Sequence, residues 1–325
     1  MLLAVIALAV VFDFLNGVHD SSSIVATPIA SNAMSPRMSL TIAAVAHFVA
    51  PFLFGVAVAK TIGEGLLDPD AISLSVLVGA LVGAIAWNII TWYFGLPSSS
   101  SHALLGGLLG ATLVAAGTSA IYASGLLRIM VALFLAPILG LLAGFLVMRI
   151  SLWAVKGSTP KVNSFFRRSQ FVTMIALALS HGTNDAQKTM GVITLALVTA
   201  GILDNFVVPL WVVAISAAAI ALGTALGGWR LIRTLGARIF RIRPIHGFTS
   251  QVSSSAVIFG AAYLGGPVST SQVMGSSITG VGAAERVNQV RWTVLRDMLA
   301  AWVLTIPATA LLAAIAFGII TIIES

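Results

Sequence analysis

The sequence predicts an all-α polytopic membrane protein: an inverted-topology repeat of two five-span units with broken or re-entrant helices. Three observations carry this prediction. Of 325 residues, 58% are hydrophobic and only 8% are charged, where a soluble domain carries roughly 25% charged residues. Apolar runs of the ~20 residues that cross a bilayer fill most of the length. Two polar motifs each occur twice, about half a chain apart.

The first span, at about 2–30, opens on "MLLAVIALAVVF". It lacks the basic start and small-residue cleavage site of a signal peptide and runs on as helix. It carries "NGVHDSSS", Asn16–Ser23. Spans at about 39–59 and 72–94 follow, then one at 97–117 opening on "LPSSSSHALLGGLLGA" and one at 126–150. These five form a first unit, residues 1–165. The second unit, 166–325, has spans at about 169–200 (carrying "SHGTNDAQKTMGVI"), 207–228, 248–264, 266–284 (opening on "GPVSTSQVMGSSITGV") and 298–322. The chain has no cysteine, so disulfides and thiolate metal sites are excluded.

Charge placement sets the expected orientation. Basic residues cluster at Arg37, at Arg149–Arg168, at Arg230–Arg243 and at Arg286–Arg296. The acids Glu64, Asp68, Asp70, Asp204 and Glu324 fall in the alternate loops and at the C-terminus, and Lys60 and Arg128 break the pattern. The positive-inside rule puts the basic loops in the cytoplasm and both termini outside. Short loops and the absence of large domains suit a bacterial inner (plasma) membrane. The net charge of +7 therefore reads as orientation, with no nucleic-acid role. In "RLIRTLGARIFRIRP" the spacing also suits a short interfacial amphipathic helix.

The repeat pairs Gly17 with Gly182 and Asp20 with Asp185, at an offset of 165 residues. It also pairs Pro97 with Pro267, Ser99 with Ser269, Ser101 with Ser271 and Gly110 with Gly280, at an offset of 170. Each unit has five crossings, so the second enters the membrane upside down. Inverted repeats with interrupted spans at matching positions mark secondary transporters.

A charge at mid-membrane costs about 3 to 10 kcal/mol. Asp20, Asp185 and Lys188 must therefore face protein or a water-filled cavity. The glycine before each acid is expected to let the helix unwind. Free carbonyls, the two carboxylates and the oxygens of Asn16, Asn184, Ser21 and Thr27 then make a ligand set for Na⁺. The second pair has the opposite character. Pro97 and Pro267 suit a first helical turn. The hydroxyls of Ser98–Ser101 and of Ser269, Thr270 and Ser271, with unsatisfied helix-start N–H groups, suit an anion. Capping is the plain alternative for these hydroxyls. Lys188, the one basic group at that depth, and its neighbour Gln187 are assigned to the anion side; neutralisation of Asp185 is the alternative for Lys188. A multivalent oxyanion beside Asp20 and Asp185 is repelled at low dielectric. The missing positive charge must come from bound cations or protons, which argues for symport.

These residues resemble the inorganic phosphate transporter (PiT) family. "FDFLNGVHDSSSIVAT" and "SHGTNDAQKTMGVI" look like its two signatures. "WNIITWYFGLPSSSSHALLGG" and "GPVSTSQVMGSSITGVGA" look like its two hairpins, and with "GARIFRIRPIHGF" the likeness covers nearly the whole chain. The resemblance implies co-transport of inorganic phosphate with Na⁺ or H⁺ and a homodimer in the lipid bilayer, with no organic cofactor. It implies that Asp20, Asn184 and Asp185 serve the cation and that Ser99, Ser100, Ser101, Ser269, Thr270 and Ser271 surround the phosphate. The chain departs from the first signature at Ser23, where an amide is usual, which leaves the coupling ion open. His19, His102 and His181 are imidazoles of a kind that titrates near neutral pH.

The alternative reading is a proton-coupled sulfate or metal-phosphate carrier. HPO₄²⁻ donates a hydrogen bond and sulfate does not, so an unpaired carboxylate beside the anion favours phosphate. A lesser alternative, an anion channel, needs weak multi-site binding, which two acids next to the hydroxyl turns disfavour. An enzyme is not expected, because no extramembrane catalytic loop exists.

Overall fold

The computed structural model describes residues 1–96 and 98–324, apart from the side chains of residues 237 and 238. Pro97, expected at a helix start, lies outside the described residues. Among them the chain is all-helical, with twelve α-helices in two runs of six. The first run is α1 (Leu2–Ala30), α2 (Pro36–Leu53), α3 (Ala57–Gly63), α4 (Leu74–Phe94), α5 (Ser100–Ala116) and α6 (Ala123–Ala154). The second is α7 (Val162–Thr199), α8 (Leu210–Leu226), α9 (Trp229–Arg233), α10 (Pro244–Tyr263), α11 (Thr270–Arg286) and α12 (Trp292–Glu324). Lengths match pairwise: 18 residues in α2 and 17 in α8, 21 in α4 and 20 in α10, 17 in both α5 and α11, 32 in α6 and 33 in α12. The long helices α6 and α12 carry Pro137 and Pro307 at equivalent points.

Each expected span is occupied by helix, with one division. The span expected at 39–59 breaks after Leu53 and resumes as α3. Gly55, at φ +65°, supplies the left-handed residue at the break. By length and hydropathy alone, five helices qualify as membrane-crossing among the described residues, and α8 with the following Trp229–Gly236, bent by 61°, is a broken sixth span or a re-entrant pair. Helix α7 is longer than any of them and fails that test because its centre is polar.

Two expectations need correction. The helices do not unwind at the glycines before the acids: α1 runs unbroken through Gly17 and α7 through Gly182. Those glycines instead let helices touch. A Cβ on Gly17 would meet the Ile220 carbonyl of α8, and one on Gly182 would sit 3.0 Å from His47 and Ala50 of α2. The breaks fall at the two turns before α5 and α11, and at α2–α3 and α8–α9. The segment after α8 is likewise not an interfacial helix. Its apolar side chains Leu231, Ile232, Leu235, Ile239 and Phe240 are buried by protein, and Gly236 lies against α1 at Ala26. Arg230 turns back to the Tyr93 carbonyl at the end of α4, with its guanidinium 5.3 Å from the Tyr93 ring.

Close approaches fix relative directions. Alongside α1, the path from α8 onward passes Gly17 at Ile220, Val18 at Gly228 and Ala26 at Gly236, so it runs with α1. Alongside α7, α2 and α3 pass Gly182 at His47 and Gly191 at Ala59, so they run with α7. Helix α5 packs on α12, with Gly106 against Ile306 and Thr309 and Gly110 against Ala310. Helix α11 packs on α6, with Gly280 against Leu141 and Gly144 against Ser277. Each short helix that follows a turn is therefore held by the long helix of the other run.

Candidate functional site

The turns before α5 and α11 meet head to head in the interior. Ser101 Oγ donates to the Val268 carbonyl at 2.7 Å, and Ser271 Oγ donates to the Ser98 carbonyl at 3.1 Å. Each turn thus binds the other through the equivalent hydroxyl. Both helix starts, with the unsatisfied N–H groups of their first turns, lie side by side. Pro267 sits in the extended segment ahead of α11 and not in its first turn. Ser99 and Ser269 are N-caps: Ser99 Oγ accepts from the His102 N–H at 3.1 Å, and Ser269 Oγ accepts from the Gln272 N–H at 3.4 Å.

The middle hydroxyl of each turn reaches an acid. Ser100 Oγ donates to Asp20 Oδ2 at 3.2 Å, and Thr270 Oγ1 donates to Asp185 Oδ2 at 3.0 Å. Within each turn the three hydroxyls divide the work in the same way: one caps its helix, one holds an acid and one holds the opposite turn.

The two acids differ in their remaining partners. Asp185 pairs with Lys188 one turn along α7, and His181 Nδ1 lies 2.8 Å from its Oδ2. The ion pair is fully buried. Lys188 also lines a small, mostly apolar cavity with Ser101 and Pro267, so it faces the turns while neutralising Asp185. Asp20 has no such cation, and its Oδ1 has no hydrogen-bond partner among the described residues. Ser23, the counterpart of Lys188, is buried with its hydroxyl unpartnered.

Other sequence-predicted residues serve the scaffold around this centre. Asn184 clamps the second turn, donating to the Gly266 carbonyl at 3.1 Å and accepting from the Val268 N–H at 3.2 Å. Its counterpart His19 faces the first turn through Thr91, which accepts from Ser98 Oγ at 2.8 Å. Gln187 Oε1 accepts from the Val58 and Ala59 N–H groups and so caps α3. Ser21 Oγ accepts from the Gly228 N–H at 2.9 Å, at the start of α9. Thr27 lies two turns beyond Asp20 and accepts from Gln251 of α10 at 3.2 Å, away from the acids. Asn16 is buried one turn before Asp20 with both side-chain atoms unpartnered.

One charged residue escaped the sequence reading. Asp13 is fully buried on α1, and neither carboxylate oxygen has a hydrogen-bond partner among the described residues. The signal was present as a lone acid in the apolar run "AVVFDFL", three residues before Asn16. The interior thus holds Asp13, Asp20, Asp185 and Lys188, each at most 1% exposed. Three buried carboxylates accompany one buried ammonium, so the interior carries an excess of negative charge when all are ionised. Buried polar atoms are normally satisfied. The orphaned oxygens of Asp20 and Asn16 are hard donors of the type that suits Na⁺.

The chain matches the family described as "Phosphate transporter family" over residues 16–313. It is 44% identical to a protein of Rhizobium meliloti (strain 1021) named "Probable low-affinity inorganic phosphate transporter", covering 98% of this chain and 96% of that one. A Bacillus subtilis (strain 168) protein of the same name is 44% identical, covering 98% and 97%. A solved structure titled "The sodium-dependent phosphate transporter" superposes with a TM-score of 0.89 at 22% identity, covering 99% of both chains. That likeness bears on the fold.

Proposed function

The chain belongs to the phosphate transporter family, and from that premise we propose that it carries inorganic phosphate across the membrane by symport with Na⁺. One observation carries the reading: each motif acid is held by the middle hydroxyl of a turn, and the two turns bind each other. An anion at the two helix starts lies next to two acids, and bound cations offset the repulsion. Asp20 Oδ1 and Asp185 are the groups assigned to hold Na⁺, which supplies positive charge beside the anion. The hydroxyls of Ser100, Ser101, Thr270 and Ser271 are assigned to the phosphate, their protons turning to it from the acids and carbonyls they serve in this structure, with Lys188 between anion and Asp185. Asp20 Oδ1, unpartnered here, also accepts a hydrogen bond from HPO₄²⁻, which favours phosphate over sulfate.

The two runs of helices are read as inverted repeats, 1–165 and 166–325. Support comes from the matched lengths and from the path after α8 running with α1 while α2 and α3 run with α7. A homodimer in a bacterial inner membrane, with both termini outside, completes the proposal.

Two outcomes test it. In proteoliposomes, phosphate is expected to accumulate against its gradient under an imposed Na⁺ gradient at constant pH. If only a pH gradient drives accumulation, H⁺ is the coupling ion; if uptake never exceeds equilibration, symport is wrong. Ser100→Ala combined with Thr270→Ala is expected to raise the half-saturating phosphate concentration by about tenfold or more, since even one lost hydrogen bond to a charged group costs about 1.5 to 3 kcal/mol. An unchanged value would reduce these hydroxyls to packing.

A further inference from the structure

Asp13 has no part in the two-fold centre. It lies seven residues before Asp20 on the same face of α1, about 10 Å along the axis, with Asn16 between them. Its equivalent in the second run is Ala178, so the repeat does not account for it. Its carboxylate interacts with the side chains of Asn16 on its own helix and Thr189 of α7, and electrostatically with Asp185 and Lys188 of α7. Helices α4 and α8, also packed on α1, contain no titratable residue in their sequences apart from Tyr93 at the far end of α4. Lys188 is committed to Asp185. The side-chain atoms of Asn16 and the Thr189 hydroxyl, like both oxygens of Asp13, have no hydrogen-bond partner among the described residues.

We propose that Asp13, Asn16 and Thr189 form a second alkali-cation site, separate from the acids at the turns. An uncompensated buried carboxylate costs several kcal/mol. Binding a proton would neutralise it but satisfy only one neighbouring acceptor, leaving the other oxygens orphaned. A Na⁺-sized cation takes several hard oxygens at once and offsets the charge. The site brings a carboxylate, an amide oxygen and a hydroxyl from two helices that also carry the two motif acids. It deepens the symport reading on which it rests, by adding a cation that phosphate does not touch.

Equilibrium binding of radiolabelled Na⁺ to the purified full chain tests it, with choline balancing ionic strength. Asp13→Asn is expected to bind one Na⁺ fewer per chain than wild type. Thr189→Val, which keeps the shape, is expected to weaken one Na⁺ by about tenfold, the loss of roughly 1.4 kcal/mol. In Na⁺-free buffer Asp13→Asn is expected to unfold at a higher temperature than wild type, because an unpaired buried charge is gone. A full complement of Na⁺ in Asp13→Asn, or a lower unfolding temperature without Na⁺, overturns the site. If Asp13→Asn loses one ion but a Na⁺ gradient never drives phosphate in wild type, the symport reading falls and the site stands. If the gradient drives uptake and Asp13→Asn binds every ion, the site falls and symport stands.

Discussion

Asp185→Asn is expected to abolish uphill phosphate uptake in proteoliposomes and to lower stability as well. The transport loss follows from removing one of two acids that face the turns. The stability loss has a separate cause: Lys188 is fully buried and paired with Asp185. Removing one partner of a buried pair leaves an uncompensated charge, at a cost of about 3 to 5 kcal/mol. The two effects separate in the double variant Asp185→Asn/Lys188→Met. Its unfolding temperature is expected to return toward the wild-type value while uptake stays absent. Asp20→Asn, whose acid has no lysine partner, is expected to lose coupled uptake with little change in stability. Wild-type uptake in the double variant would remove Asp185 from the transport site.

The second large effect is steric. A Cβ at Gly110 would meet the Ala310 carbonyl of α12, and one at Gly280 would meet the Leu141 carbonyl of α6. Backbone oxygens of packed helices cannot swing aside as side chains do. Gly110→Val and Gly280→Val are each expected to cost about 3 kcal/mol or more, at the upper end of overpacking. They should lower the thermal midpoint in detergent by several degrees and reduce uptake. Gly260→Ala is the control: nothing lies within 4 Å of its Cβ position, so it is expected to be neutral or slightly stabilising. A midpoint for Gly110→Val within a degree of wild type would show that α5 and α12 can separate.

The sequence reveals spans well because membrane helices must be long and apolar, and the ten stretches it marks are all helical. Breaks are less legible. The α2–α3 interruption turns on Gly55 and on Gln187 capping α3 from a distant helix, a contact no local pattern encodes. Gly17 and Gly182 show a second ambiguity: glycine before an acid can signal unwinding or close packing, and only the neighbouring helix decides. Ser100 and Thr270 were found because the repeat marks them. Asn184, Gln187 and Ser21 were found as polar groups, yet their partners are backbone N–H and carbonyl groups of the turns and short helices. Thr27 was grouped with the acids by proximity in sequence, although two helical turns carry it away to Gln251. Asp13 was passed over because it has no copy in the other half, and symmetry was the strongest signal available.

The crossed packing of the short helices bears on how the chain is made. Helix α5 leaves the ribosome early, yet the surface its glycines are shaped for belongs to α12, which is made much later. Until then Gly106 and Gly110 face no partner, and the serines of the first turn lack the second turn that receives them. The N-terminal half can therefore insert in the bilayer but cannot complete its own interior. Separately expressed halves should be unstable alone and recover together. A chain lacking α12 should be cleared by membrane quality control, because loss of that one helix leaves a polar turn in the other half unsupported.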